Sequence, residues 1–565
     1  MKKQKWLLST VCVLTALTAS ALAAPESAVR SDASFLVNGQ AQTVAAYNIG
    51  GYNYFKLRDL ADALNGTSNQ FEVSWDASRN QIDLLSGQAY TGEPESGELS
   101  YTAEATPTTA GVLLDGSPIY LTAYNIGGNN YFKLRDLGDA LHFGVLWEED
   151  SRSMAVYTLS PDWTLTTRSA QGATDQMSAG YSKARWTSVP EAYLYENIDG
   201  RLAALTKTSD GLWLDLYDPT DLSLTESRQI PMELEKFGGF LAGEDYNYVV
   251  FGQDNTAESD AAEVVRVVKY SKDFARLGEA SIDGGETYTV LPFECGRGAM
   301  AEGPDGLVLH TGRERYTTED GLNHQSQLTI VIDPETMTLT NTIGRFQDNH
   351  VSHSFNQFVR YDGAHHVLVD HGDAYPRSVV LSRYTGSGYQ TVDLFQIPGA
   401  IGANCTGVTV GGFEVSPTHY LVAINTIDHS KATGYTSYVI EGLDADERDI
   451  VLLISEKSNT STAAVRQLRL TDCVGKGKLA STPRLVRVSD DRFVVLWETF
   501  DLDGKSLGVS YAAVNGSGQQ QGTVQSLPDA HLSADCQPIV VDGKIVWFCD
   551  VEGDGRLFYA IDSVF

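Results

Sequence analysis

Histidine and aspartate are concentrated in one short part of this 565-residue sequence. Five of the eleven histidines fall between positions 350 and 371, with two aspartates and an arginine beside the last of them. Imidazole and carboxylate groups together can hold a divalent metal ion or transfer protons. Polar clusters on loops are also more often functional than core positions are. We therefore predict ligand-binding residues here, namely His353, Asp370, His371, Asp373 and Arg377.

The same cluster has a purely structural alternative. Its histidines lack the spacing of a known metal site, and the His350-x-x-His353 pair lacks the glutamate of a zinc protease helix. The aspartates could instead accept backbone N–H groups at a tight turn, with Arg377 paired to one of them. The sequence also contains no Gly-x-Ser-x-Gly elbow, no Walker loop and no Cys-x-x-Cys pair. Binding is therefore favoured over catalysis, and no catalytic residue is assigned.

A second candidate site lies near the end of the sequence. Asp550, Glu552 and Asp554 occupy positions 1, 3 and 5 of a segment with Gly555 at position 6, as at the start of a calcium-binding loop. Position 12 is Ile561, so the rest of the loop departs from that pattern. Calcium is thus the one cofactor that the sequence suggests, and a solvated hairpin turn is the alternative.

Both candidate sites belong to a region that is typical of all-β proteins from residue 185 onward. Short alternating apolar runs recur there with Gly, Asp and Asn between them. Seven turns each precede a strongly apolar strand, at positions 199–200, 246–247, 305–306, 362–363, 417–418, 490–491 and 542–543. Their intervals of about 46 to 73 residues are close to the length of a four-stranded propeller blade. We predict a mainly β fold with a β-propeller of about seven blades over residues 185–565. A tandem of β-sandwiches is the competing fold.

A closed ring of sheets needs one more strand than this region supplies. The sequence ends on an apolar strand at residues 557–561 with no fourth strand after it. An open sheet edge would invite aggregation. Residues 153–158, or the segment around residues 163–167, could supply the missing strand from the N-terminal side.

The N-terminal part contains an internal repeat. Residues 46–64 recur as residues 123–141, with 17 of 19 positions identical at an offset of 77. Leu57, Leu60, Ala61 and Leu64 form the apolar stripe of a helix. Strands are predicted at residues 71–75 and 81–85. Each copy is thus predicted to be a small α+β module of ββαββ order, over residues 34–86 and 110–160. Residues 87–109, rich in Ser, Thr, Gly, Pro and Glu, are interpreted as a linker.

The repeated Tyr-Asn-Ile-Gly-Gly…Tyr-Phe-Lys-Leu-Arg-Asp-Leu sequence resembles the copper amine oxidase N-terminal-like domain, or stalk domain, of exported Gram-positive proteins. The resemblance covers about residues 34–160 and implies a surface spacer or wall-associated module. It does not imply oxidase activity. The Asn-Tyr pairs at positions 53, 130 and 247 are followed by Phe55, Phe132 and Val249 in place of the acid of the quinone-forming site, and no His-x-His pair is present. The C-terminal region is similar to exported bacterial propeller proteins without an assigned activity.

The ends and composition of the sequence indicate export. Residues 1–23 combine three lysines, a short apolar stretch and an Ala-Leu-Ala cleavage site, as in a signal peptide. After its removal 38 basic residues face 73 acidic ones, a net charge of -35. So negative a chain repels nucleic acid and anionic lipid. We predict a secreted protein, or one attached non-covalently to the cell surface, without membrane insertion after cleavage.

The predicted partner is a cell-wall or extracellular glycan or protein, and the stalk modules are predicted to present a propeller that binds a glycan, peptide or metal. A propeller hydrolase acting on extracellular carbohydrate is the alternative function. Residues 281–288 resemble the Asp-box turn of sialidases, with Tyr288 in place of tryptophan, but no arginine triad is identifiable. Five cysteines remain in the exported chain and allow at most two disulfides, at Cys295, Cys405, Cys473, Cys536 and Cys549.

Overall fold

The computed structural model describes residues 25–92, 99–141, 143–148, 152–158, 164–171, 187–551 and 555–562. The regular secondary structure in this part of the chain is almost entirely β-strand. It divides into two compact units, an N-terminal unit of residues 1–158 and a propeller unit of residues 159–565. None of the helices in these ranges is long and apolar enough to cross a membrane. The signal peptide predicted for residues 1–23 lies outside the described residues.

The two sequence copies give the same series of elements in the N-terminal unit. The first copy comprises β1 (Glu26–Arg30), β2 (Ser34–Val37), β3 (Gln40–Gln42), β4 (Ala46–Ile49), β5 (Tyr52–Lys56), α1 (Leu57–Ala63), β6 (Phe71–Asp76) and β7 (Gln81–Ser86). The second comprises β8 (Thr102–Pro107), β9 (Gly111–Leu114), β10 (Ser117–Ile119), β11 (Ala123–Ile126), β12 (Asn129–Lys133), α2 (Leu134–Leu141), β13 (Gly144–Glu148) and β14 (Ser153–Tyr157). Each copy thus has five strands before its helix and two after it, so the predicted ββαββ order is present with three additional strands in front.

The copies pair with each other instead of completing their own sheets. Strands β1, β4, β5, β12, β11 and β8 close a six-stranded barrel, in which β5 and β12 pair across the repeat. The β9–β10 hairpin adds to β6–β7 through a parallel pair, and β2–β3 adds to β13–β14 in the same way. Thr102–Pro107, within the segment interpreted as a linker, is a barrel strand. The two copies therefore fold together as one body.

Apolar side chains from both copies form a shared core. Leu57, Leu60, Ala61 and Leu64 are buried, which confirms the predicted helical stripe. They join one cluster with their second-copy counterparts and with the phenylalanines of the paired strands. Burial of this face stabilises the helices, since seven- and eight-residue helices are not stable alone.

In its described residues, the propeller unit consists of β15 (Thr164–Ala170), seven successive sheets of four or five strands that include β15, and one small two-stranded sheet. Sheet 1 contains β16 (Ala192–Glu196), β17 (Leu202–Thr208), β18 (Gly211–Tyr217) and β19 (Leu224–Ile230). Sheet 2 contains β20 (Lys236–Ala242), β21 (Asn247–Gly252), β22 (Glu263–Tyr270) and β23 (Arg276–Asp283), followed by α3 (Gly284–Thr287). Sheet 3 contains β24 (Thr289–Pro292), β25 (Ala299–Gly303), β26 (Gly306–Arg315), β27 (Gln325–Asp333) and β28 (Thr338–Leu339).

The remaining sheets follow the same order. Sheet 4 contains β29 (Ser354–Asp362), β30 (His365–Asp373), β31 (Arg377–Tyr384) and β32 (Tyr389–Gln396). Sheet 5 contains β33 (Val408–Val415) and β34 (His419–Thr426), then, after a small hairpin of β35 (Gly434–Tyr435) and β36 (Ile440–Glu441), β37 (Asp449–Glu456) and β38 (Arg466–Arg469). A 3-10 turn, Thr462–Ala464, precedes β38. Sheet 6 contains β39 (Lys478–Ala480), β40 (Arg484–Ser489), β41 (Arg492–Asp501), β42 (Ser506–Val514) and β43 (Gln520–Leu527). Sheet 7 contains β44 (Ile539–Val541), β45 (Lys544–Val551), β46 (Gly555–Asp562) and β15.

The sheets surround a common axis, so the unit is a β-propeller and the sandwich alternative is wrong. Each of the seven turns found in the sequence joins the innermost strand of one sheet to the next strand outward. The innermost strands contact one another from sheet to sheet, as β25 does with β29 and β29 with β33. Strand β44 of the last sheet contacts β16 of the first. Proximity of these strands brings distant parts of the sequence to the axis.

The ring is closed by a strand from the N-terminal side of the propeller unit. Thr164–Ala170 pairs antiparallel with β46 along its whole length and becomes the outer strand of sheet 7. This confirms the second of the two segments predicted to supply it. The other, residues 153–158, contributes β14 to the N-terminal unit instead.

Candidate functional site

The histidine and aspartate cluster lies at one end of sheet 4. His353 immediately precedes β29, with a left-handed φ of 55°. Asp370, His371 and Asp373 are at the end of β30, and Arg377 begins β31. All five predicted residues are thus neighbours in space, but their side chains make separate contacts.

Asp370 is a completely buried link between sheets 4 and 3. Its Oδ2 lies 3.1 Å from Nε2 of His310 on β26, and its Oδ1 accepts a hydrogen bond of 2.7 Å from Ser354 Oγ. The other ring nitrogen of His310 is 3.0 Å from Thr329 Oγ1. A buried carboxylate with these partners is satisfied within the protein. Asp370 therefore has a structural role in this arrangement.

Asp373 and Arg377 organise the loop between sheets 4 and 5. Oδ1 of Asp373 is 3.0 Å from Nδ1 of His353, and the Asn404 amide, oriented with Nδ2 toward Asp373, donates to Oδ2 at 3.0 Å. Arg377 donates to the backbone carbonyls of Asp373, Pro398, Ala403 and Cys405 at 2.6 to 3.0 Å. The expectation that Arg377 pairs with an aspartate carboxylate is wrong, because these carbonyls use its donors.

His371 faces the opposite side of β30 from Asp370. Its Nε2 is 3.0 Å from Thr406 Oγ1. Burial, reinforced by Arg377 and Arg448, lowers the pKa of His371 to about 3. The imidazole is therefore neutral at pH 7 and cannot supply a positive charge to a ligand.

Acid is expected to destabilise the propeller through this histidine. An unfolded His371 has a pKa near 6.5, so below that pH the unfolded chain binds a proton that the folded chain excludes. The stability due to neutral His371 is thus complete above pH 6.5 and is lost as the pH falls toward the folded pKa. This group lowers the free energy of unfolding by up to about 1.4 kcal/mol per pH unit in that window.

Urea denaturation of a His371→Gln variant between about pH 7 and pH 5 tests this expectation. The variant should show a shallower decline in stability than the native sequence. His324→Gln is the control, because its side chain is partly exposed and makes an ion-pair contact with Asp320 at the surface. An identical slope in His371→Gln and the native protein would contradict the expectation.

Of the three residues predicted to bind calcium, Asp550 is the one that the structure describes. Asp550 is buried, and its two carboxylate oxygens accept hydrogen bonds of 2.9 and 3.2 Å from Arg556. Glu552 and Asp554 lie outside the described residues. Elsewhere in the described part of the chain, no group of three or more His, Cys, Asp or Glu side chains is arranged to hold a metal ion. The carboxylate of Asp550 is thus engaged by an arginine.

A polar cavity of about 120 Å³ lies on the axis of the propeller. The cavity lies where several innermost strands begin. Its wall is therefore formed by residues that are far apart in the sequence. The lining residues are Thr187, Ser188, Pro190, Arg297, Asn356, Thr409, Val410, Ser481, Thr482, Arg484, Leu532, Ser533, Ala534 and Asp535. Asn356 lies near the start of β29, at the same end of sheet 4 as His353. We refer to this cavity as the axial cavity.

Two arginines give the axial cavity unsatisfied hydrogen-bond donors. The Arg297 guanidinium lies over the Phe358 ring, with 4.6 Å between Cζ and the ring centroid, and donates to no described residue. Arg484 donates from Nη2 to Ser533 O at 2.9 Å, but its buried Nε has no partner among the described residues. Burial and the nearby Arg484 lower the pKa of Arg297 to about 10, so it is still charged at pH 7.

Among the described residues that line the same cavity, Asp535 is the one carboxylate. Burial raises the pKa of Asp535, and the charge of Arg484 opposes that rise. Asn356 contributes a buried Oδ1 that accepts no hydrogen bond from a described residue. The donors of the two arginines can hold an anionic group in this small polar space, because hydrogen bonds to charged acceptors are strong and buried donors without partners are costly. Asn356 already donates from Nδ2 to Val410 O, so its Oδ1 offers an acceptor that suits a hydroxyl donor.

Close backbone approach at the axis fixes both arginines. A Cβ on Gly298, next to Arg297, would lie 1.6 Å from Gly238 O of the adjacent sheet. A Cβ on Gly411 would lie 1.8 Å from Pro483 O, next to Arg484. Sequence reasoning missed these arginines because they come from sheets far apart in the chain. The glycines around positions 238, 298 and 411 were the available signal, since a strand glycine often marks a close approach.

Comparisons with known proteins establish no family. No protein-family model and no curated protein matches this chain. Similar solved structures include quinohemoprotein alcohol dehydrogenase from Comamonas testosteroni, with 11% identity and a TM-score of 0.34, covering 64% of this chain and 65% of that one. BamB from Moraxella catarrhalis has 9% identity and a TM-score of 0.32, with 71% and 98% covered. Penicillium chrysogenum α-L-arabinanase has 10% identity and a TM-score of 0.33, with 70% and 98% covered. At these TM-scores the likenesses carry no argument about function.

Proposed function

We propose that this protein is an exported or surface-attached binding protein whose propeller holds the acidic group of an extracellular glycan in the axial cavity. The observation that supports this proposal most directly is the pair Arg297 and Arg484. Both line a small polar space: the buried Nε of Arg484 has no partner among the described residues, although its Nη2 donates to Ser533 O and Ala534 O, and the half-buried guanidinium of Arg297 donates to no described residue. An anionic group there would satisfy these donors and offset the cost of burying two positive charges.

The rest of the lining favours a hydroxyl-rich ligand over a peptide. Hydroxyl side chains from four different segments line the cavity, as at Thr187, Thr409, Thr482 and Ser533. These groups both donate and accept hydrogen bonds and thus suit the hydroxyls of a sugar. A cavity of about 120 Å³ fits one acidic substituent better than a whole ring. The remainder of the glycan would therefore lie outside it, toward the propeller face.

The residues predicted from the sequence have a place in this proposal. His353 lies at the same end of sheet 4 as Asn356, and its side chain is partly exposed. It is therefore positioned to contact the part of the glycan outside the axial cavity. Asp373 holds its imidazole, while Asp370, His371 and Arg377 support the loops around it. The N-terminal unit would act as the surface spacer or wall-associated module that the resemblance of the repeat implies.

Calorimetric titration with glucuronate tests the proposal, with glucose as the neutral partner. Arg297→Gln should weaken glucuronate binding by about 10- to 100-fold, the loss expected for charged hydrogen bonds worth about 1.5–3 kcal/mol. This variant should fold normally, because the Arg297 guanidinium donates to no described residue. Arg487→Gln is the control, since it removes an exposed arginine from the same strand as Arg484.

Three outcomes would contradict the proposal. Equal binding of glucose and glucuronate would exclude recognition of the acidic group, and unchanged binding by Arg297→Gln would place the ligand elsewhere. Binding of a peptide carboxylate, lost on amidation and without binding of glucuronate, would favour a protein partner. Release of reducing sugar from an acidic oligosaccharide, abolished in Asp535→Asn or Asp373→Ala, would favour the hydrolase alternative.

A further inference from the structure

The duplicated N-terminal unit contains two grooves that share a repeated set of residues. Groove A, of about 600 Å³, is lined by Lys56, Arg58, Asn125, Asn130 and neighbouring residues. Groove B, of about 470 Å³, is lined by Lys133, Arg135, Asn48, Asn53 and neighbouring residues. Each residue of the first set is 77 positions from its counterpart in the second. Both volumes are within the range of small-molecule sites, about 300–1,000 Å³.

Positive charge in the N-terminal unit is concentrated in these grooves. Residues 25–158 contain seven Lys and Arg, and six of them line a groove, namely Arg30, Lys56, Arg58, Lys133, Arg135 and Arg152. The same residues include 17 Asp and Glu; among those that the structure describes, Asp32 lines groove B, and Asp136 lies 3.7 Å from Lys133 Nζ beside it. An acidic protein that separates its charges in this way presents two local sites for anions.

Helix stability does not account for these cations. Lys56 precedes α1 and Arg58 is in its first turn, and Lys133 and Arg135 have the same positions at α2. The N-terminal end of a helix carries partial positive charge, so a lysine or arginine there gains nothing from the helix dipole. Lys133 forms an ion pair with Asp136 of the first turn of α2, at 3.7 Å, and its side chain is about one-fifth exposed beside groove B.

Each groove also contains the same asparagine pair. Asn48 donates from Nδ2 to Asn53 Oδ1 at 3.3 Å, and Asn125 donates to Asn130 Oδ1 at 3.2 Å. The first asparagine of each pair also accepts a hydrogen bond from a turn glycine, which fixes its amide. The second asparagine of each pair keeps an Nδ2 group that donates to no described residue. This amide adds a neutral donor to the charged ones.

Aromatic side chains complete both grooves. Trp75 lines groove A and Tyr52 lines groove B, and both are about half exposed. Lys133 Nζ lies 3.9 Å from the centroid of the Tyr52 ring. An exposed ring beside cations and amide donors offers an apolar face for a sugar and polar groups for its acidic substituent.

We propose that the two grooves are related binding sites for an acidic polysaccharide, and that each holds a segment bearing carboxylate or phosphodiester groups. A repeating ligand suits a repeated site, because every segment of the polymer presents the same chemistry. This inference does not depend on the axial cavity, since its residues belong to the N-terminal unit.

Titration calorimetry of the full chain carrying Arg484→Gln, which weakens the axial cavity, tests the proposal. The probes are tetragalacturonate for carboxylates, a glycerol phosphate tetramer for phosphodiesters, and cellotetraose as the neutral partner. We expect two molecules of one acidic probe to bind per chain. The Lys56→Gln/Arg58→Gln and Lys133→Gln/Arg135→Gln double variants should each bind one, and the quadruple variant should lose at least tenfold in affinity.

Two further variants keep the test independent of folding. Asn53→Asp and Asn130→Asp retain the accepting oxygen but replace the free donor with a negative charge, and each should remove one binding site. Arg79→Gln is the matched control, because Arg79 is the one cation of residues 25–158 that lines neither groove. Equal binding of cellotetraose, or two sites retained in the quadruple variant, would overturn the proposal. If Arg297→Gln lost glucuronate binding while both grooves still bound the acidic probe, the result would test the axial cavity and leave the groove proposal supported.

Discussion

Replacing Arg556 with methionine is expected to lower the free energy of unfolding of the propeller by about 3–5 kcal/mol. The guanidinium is buried and donates to Asp550 Oδ1 at 2.9 Å and to Asp215 Oδ2 at 3.2 Å. It also donates to the hydroxyls of Tyr217 and Thr206. Methionine would leave two buried carboxylates without their counter-charge, which costs more than the lost attraction itself.

The position of Arg556 makes this ion pair a connection across the closure of the ring. Arg556 is on β46 of sheet 7, whereas Asp215 is on β18 of sheet 1. The residues lie more than three hundred positions apart in the chain. Loss of the arginine should therefore weaken the junction between the last and first sheets, where β15 also pairs.

Urea denaturation followed by tryptophan fluorescence measures this effect. Arg487→Met is the matched control, because its partner Asp490 is exposed and an exposed ion pair contributes about 0–1 kcal/mol. Adding Asp215→Asn and Asp550→Asn to Arg556→Met should recover part of the loss, since no unpaired charge then remains buried. If Arg556→Met lowered the free energy of unfolding by less than about 1 kcal/mol, the two buried carboxylates would not depend on Arg556 for their counter-charge.

Local features of the fold were predictable because they depend on neighbouring residues. The stripe Leu57, Leu60, Ala61 and Leu64 defines a buried helical face whatever lies opposite it. In the same way, each turn such as Asp199-Gly200 is set by its own residues and correctly separates the first two strands of a sheet. Alternation of apolar residues then indicates which face of a strand is buried.

Partner choice was not predictable from the same pattern. The two copies were expected to form separate modules, yet β2 pairs with β14 and β9 with β7. The alternation of apolar and polar residues shows which face of a strand is buried, but it does not show which strand pairs with it. Because the two copies are nearly identical, each hairpin also has two equivalent pairing partners. The axial cavity was missed for a related reason, since Arg297 and Arg484 meet only when the ring closes.

The predicted histidine cluster shows the limit of composition as a guide to a site. The five residues are close together as expected, but Asp370 contacts His310 and Arg377 binds carbonyl groups. A propeller needs polar links between its sheets, and buried polar groups must find partners. Dense polar residues at the end of a strand can therefore reflect these links as well as a ligand.

Replacing Trp547 with alanine is expected to destabilise the propeller by about 3–5 kcal/mol. The indole is fully buried, stacks on Tyr559 with 5.4 Å between ring centroids, and donates from Nε1 to His531 O at 2.7 Å. Alanine would leave a large cavity in the core shared by sheets 6, 7 and 1, and His531 O would lose its indole donor and keep the weak Cys549 Sγ donor at 3.4 Å.

A phenylalanine variant separates the two parts of this loss. Trp547→Phe keeps most of the ring packing but removes the donor to His531 O, and should cost about 1–3 kcal/mol. Leu502→Ala is the control, because Leu502 is a large apolar side chain that is half exposed in the same unit and should change stability by about 0.5 kcal/mol or less. If Trp547→Ala unfolded at the same urea concentration as Leu502→Ala, the core at the ring closure would not be packed as described. If instead Trp547→Phe were as unstable as Trp547→Ala, the hydrogen bond to His531 would outweigh the packing of the indole.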